Sequence, residues 1–499
     1  MNTSRIYDVI ISGYGPVGAT LANLLAQQGL SVAILEREAG VYHLARAGHF
    51  DAEVMRVFQS IGIAQQLEPK CAITLGMRFL DADGALLMDW KRGGEKGPSG
   101  WVSDYMFHQP TLERILRARV AEMPGIDTYL QHDVYAIDDS GECVVVKAED
   151  VTAGRLVALR GRYLVGCDGA RSLVRRTIGT EQEDLGFKQR WLVIDVEENR
   201  DLGLERISIQ HCNPERPMYA SCTSDRMLRW EIMLKPGDDP QHVTKHDVIW
   251  DFIENSVRPI SRNDGQITRS AVYTFESLIA YSWRKGRIIV AGDAAHRMPP
   301  FLGQGMCAGI RDAANLAWKL AAVCQGRAGD ALLGTYETER RPHLKAFTEG
   351  AIEAGKFVQM SDPVALAQRV ASMRANPKAY APPNPALGPG LSSLYGEHGL
   401  GRQFVQPAVH GVPLDDVAGH AFALVGGAAL VAQLDRAVLQ RDYPQLKVIA
   451  LADDQLDLLA PWEAPALLLR PDRYVHGAAQ TAAEVMALLA ALPLTLAPA

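Results

Sequence analysis

The sequence predicts an α/β chain. It reads as a doubly wound, Rossmann-like nucleotide-binding unit, interrupted by an antiparallel sheet and followed by a small second α/β unit. Three observations carry this. A buried strand pattern over Tyr7–Ser12 runs into Gly13-Tyr14-Gly15-Pro16-Val17-Gly18 and then into an Ala/Leu-rich helix. Far downstream, a second short strand, Arg287–Ala291, stops at Gly292-Asp293. Between the two, from Leu185 to about Phe275, the apolar residues alternate with a period of two, the mark of half-buried strands.

The first motif has the setting that a dinucleotide pyrophosphate requires. Gly13 allows the tight turn, Gly15 lets the backbone approach the phosphates, and Gly18 lets helix and strand pack closely. The helix that follows, read as Ala19 to Gln28, supplies N–H donors and the positive end of its dipole. The next strand, Ser31–Leu35, ends at Glu36, with Arg37 beside it. A carboxylate at that point accepts from a ribose hydroxyl, which suits an adenosine without a 2′-phosphate.

The downstream motif indicates which dinucleotide. Asp293, at a strand's carboxyl end, is placed to accept from the ribityl hydroxyls of a flavin. The loop from Pro300 through Gly303, Gly305 and Met306 to Gly309 can aim backbone N–H groups at the flavin N1/C2 carbonyl region, which becomes negative on reduction. Taken alone, Gly292-Asp293 is also compatible with a helix cap and a proline turn. Paired with the first motif it reads as a site for FAD.

A third element, Tyr163-Leu164-Val165-Gly166-Cys167-Asp168-Gly169-Ala170-Arg171, is again a strand ending at an acid and a glycine. With these three motifs in order, the chain resembles the class A flavoprotein monooxygenases, the para-hydroxybenzoate hydroxylase superfamily. Arg46-Ala47-Gly48 and Gln109-Pro110-Thr111-Leu112-Glu113 resemble that family's RAG segment and Q-P-x-L-E helix start, which contact the flavin's ring edge and its ribose or phosphates. Asp168, Gly169 and Arg171 fall where relatives hold the flavin side chain or steer the nicotinamide cofactor. The resemblance covers residues 5 to about 345. Within the superfamily, Gly292–Leu320 and Tyr336–Pro342 resemble the 3-(3-hydroxyphenyl)propionate hydroxylase and phenol hydroxylase branch. The sequence departs from the branch at Cys307 and in the loop Gly48-His49-Phe50-Asp51.

The resemblance implies an FAD-dependent monooxygenase. NADH or NADPH would visit transiently as electron donor, and molecular oxygen would hydroxylate a phenolic ring, ortho to an existing hydroxyl, through a C4a-hydroperoxyflavin. A polyketide or flavonoid tailoring oxygenase, a flavin reductase or epoxidase, and a non-catalytic flavoprotein are the other readings of the same fold. Phenolate formation calls for a proton acceptor near the operating pH. His49, three residues past Arg46, stands first, with His211, Tyr219 and Tyr273 in the sheet segment behind it; each of them is equally readable as a hydrogen-bonding or packing residue. Arg206, Arg216, Arg226 and Arg229 are the arginines available in the sheet to hold a substrate carboxylate, or to be solvated.

Composition sets bounds. At 499 residues, 47% apolar and 22% charged, the chain is an ordinary globular protein of several domains. A net charge of −7 with no basic tract gives no sign of nucleic-acid binding. No apolar run reaches membrane-spanning length and no leader pattern stands at the start, so a cytoplasmic protein is expected. The seven cysteines are scattered without CxxC, which argues against a disulfide framework and against a zinc site, and no metal is expected.

The motifs divide the chain into a first FAD-binding part over 1–180, a substrate-binding sheet over 181–275, a second FAD-binding part with helices over 276–395, and a C-terminal domain over 396–499. The Pro/Gly-rich Ala381–Gly390 separates the last two. The C-terminal domain mixes strands and helices, and it resembles the thioredoxin-like domain of the phenol hydroxylase branch, including Leu469-Arg470-Pro471-Asp472-Arg473-Tyr474-Val475. It holds no cysteine, so dithiol chemistry is excluded. A structural or dimer-related role is expected, as relatives are usually homodimers.

Overall fold

The structure, a computed structural model, describes residues 5–496 apart from 42–46, 92, 225, 361 and 377–382. It is a mixed α/β fold with several sheets. The first sheet is built on strands Ile6–Ser12, Val32–Glu36, Arg155–Gly166 and Ile288–Val290, which pair with one another in parallel. Val9, Ile10 and Ile11 are completely buried, as a parallel strand covered on both faces must be. The order places Ile288–Val290 beside Arg155–Gly166, that strand beside Ile6–Ser12, and Ile6–Ser12 beside Val32–Glu36. The three motifs and Glu36 therefore emerge side by side from four adjacent strands, at their carboxyl ends, where open α/β sheets bind ligands.

Helix Pro16–Gln27 and helix Gly305–Cys324 pack on this sheet and on each other. Their contact is close because Gly309 lacks a side chain: a methyl group there would lie 2.5 Å from Val17 Cγ2 and 3.1 Å from Gly292 Cα. The helical region continues as Ala331–Val358 and Pro363–Ala375.

The second sheet is eight-stranded, and its spine is the long antiparallel pair Gln182–Glu198 and Gly265–Ala280. Met227–Met233, Met218–Cys222 and Ser208–His211 follow outward. The sheet also recruits Gly76–Leu80 and Leu86–Lys91 from the first part of the chain, a pairing that alternation within 181–275 could not show. One face is apolar: Leu192, Ile194, Trp230, Ile232 and Ala220 pack against Ile249, Trp250 and Ile253 of helix His246–Glu254. The opposite face carries Trp191, Asp195, Arg229, Glu231 and Tyr219, and it looks toward the first sheet's motif loops.

The C-terminal unit is a four-stranded sheet in the order Lys447–Leu451, Ala423–Gly427, Ala466–Leu469, Val475–Ala479, flanked by helices that include Ala482–Ala490. It is tied to the rest of the chain by buried ions. Arg470, wholly buried, meets Glu339 at 2.9 Å and Asp472 at 2.6 Å, and Glu339 also receives Lys319 at 2.6 Å. Asp415 bridges Arg56 at 2.7 Å and Arg473 at 3.1 Å. Among the described residues no helix is long and apolar enough to cross a membrane.

Removing one member of a buried ionic cluster strands the rest without compensation. Arg470→Met is therefore expected to destabilise the protein by about 3–5 kcal/mol, seen as an earlier urea midpoint. An unchanged midpoint would show that the cluster does not hold the C-terminal unit.

Candidate active site

The three motif loops and the polar face of the second sheet line one continuous, partly open cavity of about 2410 Å³. At its nucleotide end the walls are Gly13, Gly15, Pro16, Val17, Glu36 and Arg37. Gly13 takes φ +101°, and a methyl group on it would stand 2.4 Å from the Cys167 carbonyl oxygen, so this turn tolerates glycine alone. Gly18 lies behind the wall; a methyl group there would come within 2.1 Å of the Gly13 carbonyl oxygen. At Gly15 the corresponding direction is open space. The Glu36 carboxylate is oriented by Tyr14 N, which donates at 2.8 Å, and by Glu38 N at 2.9 Å. Arg37 is mostly exposed and pairs with Glu38 at 3.3 Å.

Along the middle of the cavity stand Gln109, Asp168, Gly169, Arg171 and Asp293. Gln109 accepts from Ala47 N at 2.9 Å and donates to Glu113 at 2.8 Å, which fixes its amide. One Asp168 oxygen accepts from Leu173 N and Val174 N; the other is buried without a hydrogen-bond partner among the described residues. Burial raises the Asp168 pKa. Gly292 forms the turn but does not reach the cavity wall, and Arg46 lies outside the described residues.

Pro300, Gly303, Gly305 and Met306 wall the far end. The 20-residue helix Gly305–Cys324 opens there, so its first N–H groups and its positive dipole end face the space. The glycine cradle, the open side of Gly15, the unsatisfied Asp168 oxygen and this helix start together fit FAD laid along the cavity.

Of the candidate proton acceptors, His49, Tyr219 and Tyr273 reach the cavity, whereas His211 does not. Ser208 and Gln210 point inward, so His211 projects to the other side of its strand, where its Nε2 lies 3.4 Å from the Ala82 carbonyl. His49 spans two elements: Nε2 sits 2.8 Å from Asp104 Oδ1 and Nδ1 3.4 Å from the Gly303 carbonyl. Tyr219 shares a 3.0 Å hydrogen bond with Ser208, and burial raises its pKa, so its phenol stays neutral. Tyr273 accepts from Arg269 at 2.5 Å.

Sequence reasoning missed a buried charge cluster on the sheet. Asp195 accepts from Arg229 Nε at 2.7 Å and Nη2 at 3.0 Å, and from Arg269 at 2.9 Å. Burial pushes the Asp195 pKa up, but the two guanidiniums outweigh it and hold it below the ordinary carboxylate value. Glu231 stands two residues along on the same face. The available signal was positional: in Met227–Met233, Arg229 and Glu231 occupy one face of a strand whose other face, Leu228, Trp230 and Ile232, is fully apolar. Asp312, readable from the sequence as an anchor near the flavin rather than an acid catalyst, accepts from Gly292 N at 3.1 Å, His296 Nε2 at 2.6 Å and Arg340 at 2.9 Å. His296 and Asp312 thus anchor the motif from behind.

The FAD binding domain family model matches residues 6–351. A probable NADH-specific resorcinol 4-hydroxylase of Rhodococcus jostii (strain RHA1) is 37% identical, covering 99% of this chain and 96% of that one. A 3-(3-hydroxy-phenyl)propionate/3-hydroxycinnamic acid hydroxylase of Mycobacterium sp. (strain JLS) is 34% identical over 98% of this chain and 92% of that one. Among solved structures, aklavinone-11 hydroxylase in complex with FAD and aklavinone superposes with a TM-score of 0.77, at 23% identity, over 99% of this chain and 100% of that one. The flavin-dependent monooxygenase PieE does so with 0.80, at 20% identity, over 97% and 98%.

The cradle gives a direct expectation. Gly18→Ala places a methyl group against the Gly13 carbonyl and should displace the phosphate-binding turn; the purified variant should lose most of its 450 nm flavin absorbance relative to wild type, at equal protein. A variant that keeps full flavin content would show that this turn does not hold FAD.

Proposed function

This chain belongs to the FAD binding domain family and is a flavin-dependent aromatic monooxygenase, and we propose that it hydroxylates a small phenol of the resorcinol type, ortho to an existing hydroxyl, with NADH as electron donor. The observation that carries this is the continuity of the cavity, from the nucleotide cradle to a sheet face bearing hydroxyl and carboxylate groups. The relatives named for resorcinol and for hydroxyphenylpropionate support the substrate class, and the first of them supports NADH.

Bound FAD would supply the redox chemistry, receiving a hydride from NADH and passing one atom of oxygen to the ring. The chain's own residues do the rest. The Gly13–Gly15 turn and the start of helix Pro16–Gln27 hold the pyrophosphate, and Glu36 accepts from the adenosine ribose. The first N–H groups of helix Gly305–Cys324 meet the ring edge that gains negative charge on reduction. Phe301 packs edge-on against Phe187 and Trp191 and gives that end of the cavity an apolar wall.

His49 is read as a tether. Nε2 donates to the Asp104 carboxylate, and the ring packs against the flavin loop, where a methyl group on Gly303 would stand 2.7 Å from Nδ1, so the imidazole links the His49–Asp51 strand to that loop by contact. Tyr219 and Ser208 form the hydroxyl pair that faces the ring's own hydroxyl. The C-terminal unit, read as thioredoxin-like, acts as a clamp: Tyr474 donates to Glu53 at 2.7 Å, and Glu53 pairs with Arg311 at 2.6 Å.

The test is NADH oxidation with oxygen uptake by the FAD-loaded protein, across resorcinol, 3-(3-hydroxyphenyl)propionate and a polycyclic phenol. Resorcinol is expected to stimulate NADH oxidation at least tenfold, with one oxygen consumed per NADH and a trihydroxybenzene formed. Stimulation by none of the phenols, or peroxide as the sole product, would overturn the assignment. His49→Asn is expected to retain FAD but to divert a larger share of the NADH oxidised into peroxide; unchanged coupling would remove the tether role.

A further inference from the structure

We infer that Glu231 sets the substrate class of this site: its carboxylate accepts the hydrogen of a ring hydroxyl and turns away phenols that carry a carboxylate of their own. This rests on the phenol-hydroxylase reading above and concerns the same cavity.

The strand register puts Glu231 directly opposite Tyr219 on one side and Val193 on the other, in the middle of the sheet face that lines the cavity. Its side chain is 15% exposed. Among the described residues its carboxylate accepts no hydrogen bond, and Arg229 Nη1, at 3.9 Å, is beyond hydrogen-bond reach. A carboxylate in that state, set on the cavity wall, is free to accept from a donor that enters the cavity. Burial raises its pKa, with Arg229 offsetting the rise only in part, which makes it a better proton acceptor than an ordinary glutamate.

The surrounding cations do not invite an anion. Arg229 and Arg269 both bond Asp195, so two arginines face two acids and the cluster is balanced. The flavin-side loop lies against Arg229: a methyl group on Gly48 would be 2.9 Å from its Nη1. Of the other arginines on the sheet, Arg216 is held by Asp238 at 2.7 Å and Arg226 by the Glu198 carbonyl. On the cavity wall, Arg297 pairs with Glu276, and Arg369 has a partner of its own. A substrate carboxylate entering beside Glu231 would meet a like charge in a poorly solvated space; a neutral hydroxyl would meet an acceptor, with Tyr219 beside it.

The test compares wild type, Glu231→Gln and Glu231→Asp, each loaded with FAD. The readouts are kcat/KM for resorcinol and for 3-(3-hydroxyphenyl)propionate, together with the calorimetric Kd for resorcinol. Wild type should prefer resorcinol. Glu231→Gln should bind resorcinol about tenfold or more weakly, the loss of a hydrogen bond to a charged acceptor, and its preference over the propionate should shrink by a similar factor. Glu231→Asp, which keeps the charge, should keep the preference, while flavin content stays at the wild-type value in both variants. An unchanged resorcinol Kd and substrate ratio in Glu231→Gln, or a wild type that prefers the propionate, overturns the inference while leaving the hydroxylase reading in place. A wild type that hydroxylates neither phenol removes both.

Discussion

Two adjacent ions on one helix, Arg311 and Asp312, hold the parts of this molecule in register. They sit on helix Gly305–Cys324, whose N-terminus faces the flavin space, and both are almost fully buried. Asp312 reaches one way, binding the Gly292 amide, His296 and Arg340, and so pins the Gly292-Asp293 turn and helix Ala331–Val358 to this helix. Burial pushes the Asp312 pKa up; His296 and Arg340 outweigh it and keep it below the usual value, so the residue stays an anion and an anchor. Arg311 reaches the other way, to Asp51 at 2.5 Å, Glu53 at 2.6 Å and Gln304 at 2.8 Å. Because Asp51 also caps helix Ala52–Ile61 and closes the strand that carries His49, a shift of this helix moves the flavin loop and the His49 tether together.

The same network explains why a C-terminal unit without redox chemistry is joined so firmly to the rest. Tyr474 donates to the Glu53 that Arg311 holds, while Arg470 and Arg473, from the same short turn, enter the Glu339 and Asp415 clusters. Buried ion clusters of this kind are poor sources of stability compared with apolar packing, but they are sensitive to geometry. Their arrangement links the far end of the chain to the helix start where negative charge on the cofactor would be met.

Much of the fold was legible in the sequence because backbone constraints dominate it. Gly13 and Gly18 announce a turn and a close packing that a side chain would break, and strands such as Ile6–Ser12 announce burial on both faces. The adjacency of the three motif strands is seen only in the sheet order. Less legible were features that depend on strand facing and long-range pairing. Strands Gly76–Leu80 and Leu86–Lys91 join a sheet whose other members all begin at Gln182 or beyond. His211 was a candidate by residue type, and the two-residue period of its strand turned it away. Glu231 and Asp195 were passed over because a charge inside a strand reads locally as its solvent side; only the neighbouring strands reveal that this polar face is enclosed.

The central claim is that phenol and flavin meet in one cavity, with the ring hydroxyl at the Glu231–Tyr219 pair and the flavin edge at the start of helix Gly305–Cys324. A crystal structure of the FAD-loaded protein with resorcinol tests this most directly. The expected result is a resorcinol hydroxyl within hydrogen-bond distance of Glu231 or Tyr219, the ring facing the flavin, and flavin N1 and O2 turned toward the Gly305 and Met306 amides. Resorcinol bound away from the sheet face, or a flavin whose pyrimidine edge points elsewhere, would contradict the account.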